Sequence, residues 1–384
     1  MDKQILYTQK DSENNTIYDK IHQYISGKYN LLFNEISQEF IIKLKNSSVW
    51  IELNINSLII ELTKADLKVR RVILEIYLCS YLVKTINPFK QYYESLENWD
   101  GIDHIRELAS YVPTDNDILF VYHLKKWLVR TIKCSIEPKY YNKNCLVFAQ
   151  ETQNSGKTTF CRFLCPDKLN HYYAENIGHD KDGIIQLAKN IIINLDELDK
   201  IDQRTVDAYK SFFSKETLNL RLPYAKKNSI HSRTSSFLGS TNLLNFLKDD
   251  TGNVRWICFE ILGRINFDYS KNIDINKVWA QAYHLAYNTE DFNPDLTHTD
   301  VIENEKRNEK HRMISIEEEL ISELFEKSSD RNDFLTSTVI SNYIKAKYSY
   351  ANPIIIGRAL RKLGYKRINS PENGNKGYMI KLKK

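Results

Sequence analysis

Apolar residues recur at helical spacing in two stretches of the first 140 positions. Residues 67–85 predict one helix and residues 116–134 predict another. Residues 48–63 alternate enough to predict a strand in part of that segment. From 144 to 261, short apolar runs alternate with helical segments, which is the pattern of an α/β fold with a mostly parallel sheet flanked by helices. The stripe of the second helix consists of Leu124, Trp127, Leu128 and Ile132.

Changes in this pattern divide the chain into four predicted regions. Residues 1–95 form an α+β region, a candidate oligomerisation collar, and residues 96–290 form the α/β domain. Residues 291–315 are rich in charge and predict a helical linker. Residues 316–384 form a small separate module.

Composition narrows the class of protein. The 384 residues are 42% hydrophobic and 27% charged, which suits a buried core. The sequence shows neither an apolar run near the ~20 residues that span a bilayer nor a leader peptide. Six cysteines are scattered through apolar segments and predict reduced core thiols. We therefore expect a cytoplasmic protein without a membrane partner, and we set aside secreted disulfide scaffolds and fibrous proteins.

Charge is concentrated at the C-terminal end. The net charge is only +5, but residues 331–384 contain 12 Lys and Arg against 2 Asp and Glu, which leaves 42 basic and 47 acidic residues elsewhere. Such asymmetry indicates a polyanionic partner for the C-terminal module. The alternative is a solvated, lysine-rich end without a partner.

A phosphate-binding loop is the strongest local motif. The apolar strand 145–149 leads through a polar loop into Gly156, Lys157 and Thr158, after which a helix begins. Such a loop points backbone N–H groups at a phosphate, the lysine reaches the β- and γ-phosphates, and the threonine hydroxyl holds Mg²⁺. Glu151 stands where this pattern has its first glycine. The predicted nucleotide-binding residues are Gln153, Asn154, Ser155, Gly156, Lys157, Thr158 and Thr159.

Two acidic residues follow the apolar strand that starts at Asn190. Asp196 and Glu197 come 39 and 40 positions after Lys157. The carboxyl ends of parallel strands share one sheet edge, so this pair is expected beside the phosphate loop. Asp196 would hold Mg²⁺, and Glu197 would orient and deprotonate the attacking water. The alternative is a solvated acidic pair at the start of a helix.

Two further residues are candidates for sensing or stabilising phosphate charge. Asn242 ends the strand 236–242, where an amide could hold the water or sense the γ-phosphate. Arg255 begins the strand 256–261 and could reach a phosphate of its own subunit or of a neighbour. The alternatives are a turn-forming asparagine and a surface arginine.

These motifs, in this order, resemble the virulence-associated E (VapE-like) ATPases, relatives of the superfamily 3 helicases within the AAA+ class. The resemblance covers 98–288, and Glu151 and Asn154 stand where that family usually has glycine. The motifs are Asn98-Trp99-Asp100-Gly101, the loop 153–158, Asp196-Glu197-Leu198, Arg221-Leu222-Pro223-Tyr224, Ser240-Thr241-Asn242, Thr251-Gly252-Asn253-Val254-Arg255-Trp256 and Val278-Trp279-Ala280-Gln281-Ala282.

The resemblance implies an AAA+-type P-loop ATPase core that uses ATP and Mg²⁺. It further implies a ring-forming motor, expected to be a homo-hexamer, in phage or mobile-element replication. Such proteins are often joined to a primase. Residues 1–95 carry no primase motif, so a primase would be a separate chain.

The resemblance also implies that residues 218–232 form a loop or hairpin in the ring channel, contacting single-stranded DNA. Basic residues in this segment agree with binding to a phosphate backbone. A solvated β-turn is the alternative. The basic residues are Arg221, Lys226, Lys227, His231 and Arg233.

The C-terminal module predicts a winged-helix layout. One helix begins after Thr336 or Ser337 and runs to about Tyr348, and a second begins at Asn352-Pro353 and ends at Gly364. Ile355, Ala359, Leu360 and Leu363 are expected to face inward. A winged helix would bind duplex DNA, whereas protein contact is the alternative. The candidate DNA-binding residues are Arg358, Arg361, Lys362, Lys376 and Lys381.

Three functions are compatible with these patterns. The first is an ATP-hydrolysing DNA helicase or translocase, and the second is an ATP-gated DNA-binding regulator or loader with weak or no hydrolysis. The third is a soluble P-loop kinase for a small molecule, which the basic C-terminal module disfavours. Stimulation of ATP hydrolysis by DNA distinguishes the three.

Overall fold

The computed structural model describes residues 15–221, 228–247, 253–370 and 374–383. It divides into two compact units, Met1–Leu244 with Val254–Glu305, and Asn245–Asn253 with Lys306–Lys384. Among the described residues, no helix is long and apolar enough to cross a membrane. All six cysteines are described, and each is a free thiol.

The N-terminal region is a small α+β layer in the first unit. Its described strands pair in the order β3-β2-β1-β4, with β1 antiparallel to β2 and parallel to β4. Leu58, Leu62 and Leu74 are buried between the helices and this sheet. The elements are α1 (Ile17–Lys28), β1 (Tyr29–Asn34), β2 (Glu39–Leu44), β3 (Ile51–Glu52), α2 (Ile55–Lys64), α3 (Arg71–Leu78), β4 (Lys84–Ile86) and α4 (Pro88–Glu94).

Two sequence predictions in this region hold only in part. The strand predicted in part of 48–63 is limited to β3, and most of the segment is helix α2, because the Asn54 side chain accepts a hydrogen bond from the Ser57 amide and caps a new helix there. The helix predicted over 67–85 is confined to α3. The chain turns after Leu78 and then forms β4, which pairs with β1.

The rest of the first unit is built on a parallel sheet. The five described strands pair in the order β11-β5-β10-β7-β6, every pair parallel. The elements are α5 (His104–Ala109), α6 (Asp117–Ile136), β5 (Cys145–Ala149), α7 (Lys157–Phe163), β6 (Tyr173–Glu175), α8 (Lys181–Lys189), β7 (Ile192–Leu195), α9 (Gln203–Phe213), β8 (Thr217–Leu220), β9 (Ser229–Ser232), β10 (Ser236–Thr241), β11 (Trp256–Glu260), α10 (Tyr269–Asn272), α11 (Ile275–Tyr287) and α12 (His298–Asn308).

Burial explains why the sequences of these strands are runs of mostly apolar residues. Every residue of β5, β7 and β10 is buried, as expected for parallel strands covered on both faces. The predicted apolar stripe of α6 is confirmed, since all four of its residues are fully buried. The Trp127 indole also donates to the Phe237 carbonyl at 3.0 Å, which ties α6 to β10. The mostly parallel α/β sheet flanked by helices is therefore confirmed.

In its described residues, the second unit combines helices with antiparallel strands. Strand β15 pairs with β12, β13 and β14. The predicted caps are present at Thr336, Asn352 and Gly364, whose φ is +76°. The elements are α13 (Ile316–Leu324), β12 (Phe325–Lys327), β13 (Phe334–Leu335), α14 (Ser337–Lys345), α15 (Pro353–Lys362), β14 (Ile368–Asn369) and β15 (Lys376–Leu382).

Two details of this unit differ from the prediction. Helix α14 ends at Lys345, three residues early. On α15 the fully buried isoleucine is Ile356, whereas Ile355 is 41% exposed. The inward face of α15 is therefore rotated by one position at its start, since Ala359 and Leu360 are buried as predicted.

Candidate nucleotide-binding site

The loop between β5 and α7 has the backbone shape that a phosphate-binding loop needs. Asn154 and Gly156 adopt left-handed conformations, with φ of +59° and +98°. A Cβ on Gly156 would lie 2.7 Å from the ring of Phe267, so the close approach also requires glycine. The Ser155 carbonyl accepts from the Ile265 amide at 3.0 Å, which anchors the loop.

Lys157 is buried at the first position of α7, and its ammonium faces neutral oxygens. Nζ lies 3.1 Å from Ser155 Oγ, 3.1 Å from Asn242 Oδ1, and 3.3 Å from the Gln150 carbonyl. Burial lowers the pKa of Lys157, although the nearby carboxylates partly oppose that shift. A cation whose hydrogen-bond acceptors are neutral leaves positive potential at the site, which favours an anion.

Oxygen atoms from three elements converge beside Lys157. Thr158 Oγ1 lies 3.1 and 3.2 Å from the two carboxylate oxygens of Asp196, which directly follows β7. The hydroxyl of Ser240, on β10, also donates to Asp196. Hydroxyl and carboxylate oxygens are ligands that suit Mg²⁺ when phosphate and water complete the shell. These residues therefore fit the metal that the sequence implies.

Glu197 is held by a neighbour that the sequence did not single out. Its backbone is left-handed at φ +56°, and its carboxylate lies 2.6 Å from Lys200 Nζ. The hydrogen bond to Glu197 raises the pKa of Lys200. Both side chains are substantially exposed, at 46% and 64%. The three-residue spacing is the one sequence signal that could have indicated this pair.

Asp199 positions the end of β10. Its Oδ1 accepts from Thr241 Oγ1 and from the Asn242 amide, both at 3.1 Å. In the sequence it is only one more acidic residue after Asp196 and Glu197. These two contacts fix the backbone at Asn242, whose side-chain oxygen lies 3.1 Å from Lys157 Nζ. Asp199 is thus a positioning residue.

These groups line one cavity of about 630 Å³, within the range of small-molecule sites. Lys157 and Asp196 enter it from the ends of neighbouring elements. Glu151 also lines it, with an exposed side chain. The lining includes every loop residue predicted to bind nucleotide: Gln153, Asn154, Ser155, Gly156, Lys157, Thr158 and Thr159.

Arg255 does not join this cavity. It precedes β11, whose first residue, Trp256, pairs with Cys145 at the start of β5, whereas the phosphate-binding loop follows the end of β5. A five-residue strand separates the two edges by about 15 Å. Arg255 Nε instead lies 3.2 Å from Ser214 Oγ. The structure therefore does not bring Arg255 to the nucleotide cavity of its own chain.

Comparison with known proteins now gives the family. The family model described as the virulence-associated protein E-like domain matches residues 93–313. The chain belongs to the VapE-like family. The VapE-like match includes the loop, the acidic pair, Asn242 and Arg255.

Solved structures agree in fold. The apo structure of the NrS-1 C-terminal region (305–718) is 12% identical, with a TM-score of 0.53, covering 96% of the VapE-like chain and 100% of that chain. The A-form apo structure of the same region is 13% identical with a TM-score of 0.53, covering 95% and 98%. No match was found among curated proteins.

The hairpin expected in this VapE-like chain is present, although not all its basic residues face solvent. Strands β8 and β9 pair antiparallel, and Arg221 follows β8 on the surface. Lys226 and Lys227 lie outside the described residues. Arg233 was wrongly grouped with them, because it is fully buried between the rings of Tyr141 and Phe237.

The basic residues of the C-terminal unit divide into two groups. Arg358 and Lys376 are exposed, and Arg361, also exposed, donates to the Gly357 carbonyl of its own helix. Lys362 Nζ instead lies 3.2 Å from the carboxylate of buried Glu318. Lys381 is also paired, with Glu326 at 3.3 Å.

Proposed function

We propose that this VapE-like chain is an ATP-hydrolysing DNA helicase or translocase of a phage or mobile-element replication module. One observation carries the proposal. The Lys157 ammonium and the Asp196 carboxylate line the same cavity as the phosphate-binding loop, although 39 positions separate them. A cation for phosphate beside oxygens for a metal is the arrangement that nucleotide hydrolysis needs.

Each side chain has a role in this proposal. Lys157 would exchange its neutral acceptors for β- and γ-phosphate oxygens, while amides of the loop 153–156 bind the remaining oxygens. Thr158 and Asp196 would hold Mg²⁺, which neutralises phosphate charge when bound. Asn242 would keep contact with Lys157 and orient the attacking water.

Glu197 would accept the proton of that water. To do so its carboxylate must leave Lys200, to which it is bound at 2.6 Å. Both side chains are exposed, so water can solvate each of them when the carboxylate leaves. Hydrolysis would thus depend on a rotation of Glu197 toward the nucleotide.

We also propose that the motor is a homo-hexameric ring acting on DNA. Arg255, at the opposite sheet edge, would serve a neighbouring subunit's nucleotide. The β8–β9 hairpin, with Arg221, Lys226 and Lys227, would contact single-stranded DNA. The C-terminal unit would be a winged helix that binds duplex DNA, with Arg358, Arg361 and Lys376 as its phosphate contacts. A primase is a further candidate partner.

The test is ATP hydrolysis with and without single-stranded DNA, together with particle size on adding ATP and Mg²⁺. We expect DNA to stimulate turnover. Lys157→Ala should lose ATP binding. Glu197→Gln should still bind ATP, but its rate of hydrolysis should be lower by about 10²- to 10⁴-fold. Lys181→Ala, a substitution of an exposed lysine on α8, is the matched control. Absence of saturable ATP binding by the wild-type chain would refute the proposal.

A second candidate is an ATP-gated DNA-binding regulator or loader. The Glu197–Lys200 ion pair favours it, because a carboxylate held by Lys200 is not free to accept the proton of the attacking water. Glu151 at the cavity favours it as well, since it adds negative charge near phosphate. This candidate predicts ATP binding that alters DNA affinity, with little turnover and no effect of Glu197→Gln.

A further inference from the structure

A second cavity adjoins the candidate nucleotide-binding site. It has a volume of about 770 Å³, and Thr159, on the first turn of α7, lines both cavities. Phe267 also connects them, because its ring lies against Gly156 of the loop and lines the second cavity. A molecule with its phosphates on the loop would therefore have this space within reach.

Aromatic rings form part of the wall of the second cavity. The ring of Tyr269 lies 4.7 Å from that of Phe163 and 6.2 Å from that of Phe267, centroid to centroid. Arg162 and Glu175 form a bidentate ion pair at the rim, with both distances 2.8 Å. Flat apolar walls with a polar rim suit a planar heterocycle better than a charged group.

Tyr269 lines this cavity and carries a buried hydroxyl. It is only 1% exposed, and its hydroxyl has no hydrogen-bond partner among the described residues. Burial raises the pKa of Tyr269 to about 12, so the hydroxyl is protonated at neutral pH and available to donate. A buried donor without a partner is unfavourable, and a bound acceptor would remove that cost.

We propose that this cavity takes the purine base of the nucleoside triphosphate. Phe163 and Phe267 form its apolar walls, and the Tyr269 hydroxyl donates to a ring nitrogen. The assignment rests on the proposed function, since it requires the triphosphate on the loop at Lys157. It makes Tyr269 and Phe267 determinants of nucleotide affinity that the phosphate-binding motif does not contain.

The test separates the base from the phosphates. Dissociation constants of the full chain with Mg²⁺ are measured by calorimetry for ATP, CTP and inorganic tripolyphosphate. We expect ATP to bind at least about 10-fold more tightly than tripolyphosphate, because stacking on aromatic rings stabilises the base. We also expect ATP to bind more tightly than CTP, whose smaller ring covers less of the aromatic wall.

Two variants identify the groups responsible. Tyr269→Phe keeps the ring and should weaken ATP binding by about 3- to 10-fold, with tripolyphosphate binding unchanged. Phe267→Leu should weaken ATP binding further while sparing tripolyphosphate. Tyr77→Phe, which alters a buried tyrosine of the N-terminal region, is the matched control and should change neither. Thermal unfolding checks that each variant is folded.

Each contrary result has a distinct meaning. Equal binding of ATP and tripolyphosphate by the wild-type chain would overturn the base site and leave the proposed hydrolysis intact. Loss of both ligands in the Tyr269 and Phe267 variants would show that the aromatic cluster merely supports the loop, which also overturns the inference. Failure of the wild-type chain to bind either ligand would overturn the proposed function itself.

Discussion

The ammonium of Lys157 lies 3.1 Å from the side-chain oxygen of Asn242, although 85 positions separate the two residues. The contact connects the phosphate-binding loop to the end of β10. Asp199 supports this contact by accepting a hydrogen bond from the backbone amide of Asn242. Lys157, proposed to bind phosphate, and Asn242, the candidate sensor, therefore form one hydrogen-bonded unit, and changes in either should affect the other.

Two substitutions of Asn242 should have different effects. Asn242→Ala should lower kcat by about 10- to 100-fold with little change in KM, because it removes a group proposed to orient water. Asn242→Asp should instead raise KM, since a carboxylate beside Lys157 competes with phosphate for its charge. Steady-state ATPase kinetics of both variants provide the measurement. Identical kinetics for the two variants would contradict these roles.

The pH dependence of ATP binding should report on Lys157. Burial holds its pKa below the ordinary value of 10.5, and a bound triphosphate would raise it. The affinity for ATP should therefore be highest below the lowered pKa of Lys157 and should fall as the pH rises through that pKa. The fall should begin at a lower pH than the titration of an ordinary lysine. Calorimetry from pH 7 to 10.5 provides the measurement. Whatever affinity Lys157→Arg retains should not change over this range.

Lys200→Ala should increase basal turnover. Releasing Glu197 from the ammonium makes the carboxylate available as a base, so kcat should rise. The rate of phosphate release without DNA is the measurement, with Lys181→Ala as control. A lower rate would show that Lys200 takes part in hydrolysis rather than restraining Glu197.

Asp300 should be important for stability. Its carboxylate lies 2.9 Å from the buried Lys126 ammonium and accepts from the Tyr122 hydroxyl. Asp300→Asn would leave Lys126 buried without its counter-charge, and we expect a loss of about 3–5 kcal/mol in the free energy of unfolding. Urea unfolding measures it, with the exposed Asp291→Asn as control.

The contact of Asp300 with Lys126 and Tyr122 should also make the stability of the fold depend on pH. Burial raises the pKa of Asp300, but hydrogen bonds from the Thr297 amide, Lys126 and Tyr122 outweigh burial and lower it to about 2. The pKa of the folded state thus lies below the ordinary 3.8. The stabilisation is present above pH 3.8 and should be lost as the pH falls toward 2. Asp300→Asn should lack this part of the acid transition.

Arg358 and Lys362 should differ in a DNA-binding assay. Arg358→Ala should weaken duplex binding and reduce the slope of log affinity against log salt by about one, as expected for loss of a phosphate contact. Lys362→Ala should mainly lower stability, by about 1–2 kcal/mol, because it removes one cation from buried Glu318 while Arg312 remains. Anisotropy titrations and urea unfolding separate the two effects.

The sequence predicted the centre of the site because strand ends follow general rules. A buried parallel strand reads as an apolar run, and polar residues directly after it must lie at the carboxyl edge of the sheet. Lys157, Thr158, Asp196 and Asn242 all follow such runs, and they line one cavity. Their approximate positions could therefore be predicted from the order of strands and polar residues in the sequence.

Those rules do not predict which groups a side chain contacts. Charge alone suggested that Arg233 faces solvent, whereas two aromatic rings enclose it. Composition likewise could not show that Asp199 holds the Asn242 amide or that Tyr269 lines a cavity. In 48–63, the Asn54 cap begins a helix after the short strand β3, and its three-residue spacing is a signal that the sequence does contain. The contact between Asp199 and Asn242 instead joins residues 43 positions apart, and such spacing carries no signal.

The parallel sheet also has a consequence for assembly. Lys157 and Arg255 lie at opposite ends of the strands, so Arg255 does not serve the cavity of its own chain. In the head-to-tail ring proposed above, each junction would combine the cavity of one copy with Arg255 of the next. A subunit that carries both Lys157→Ala and Arg255→Ala would therefore impair two junctions, one on each side of it.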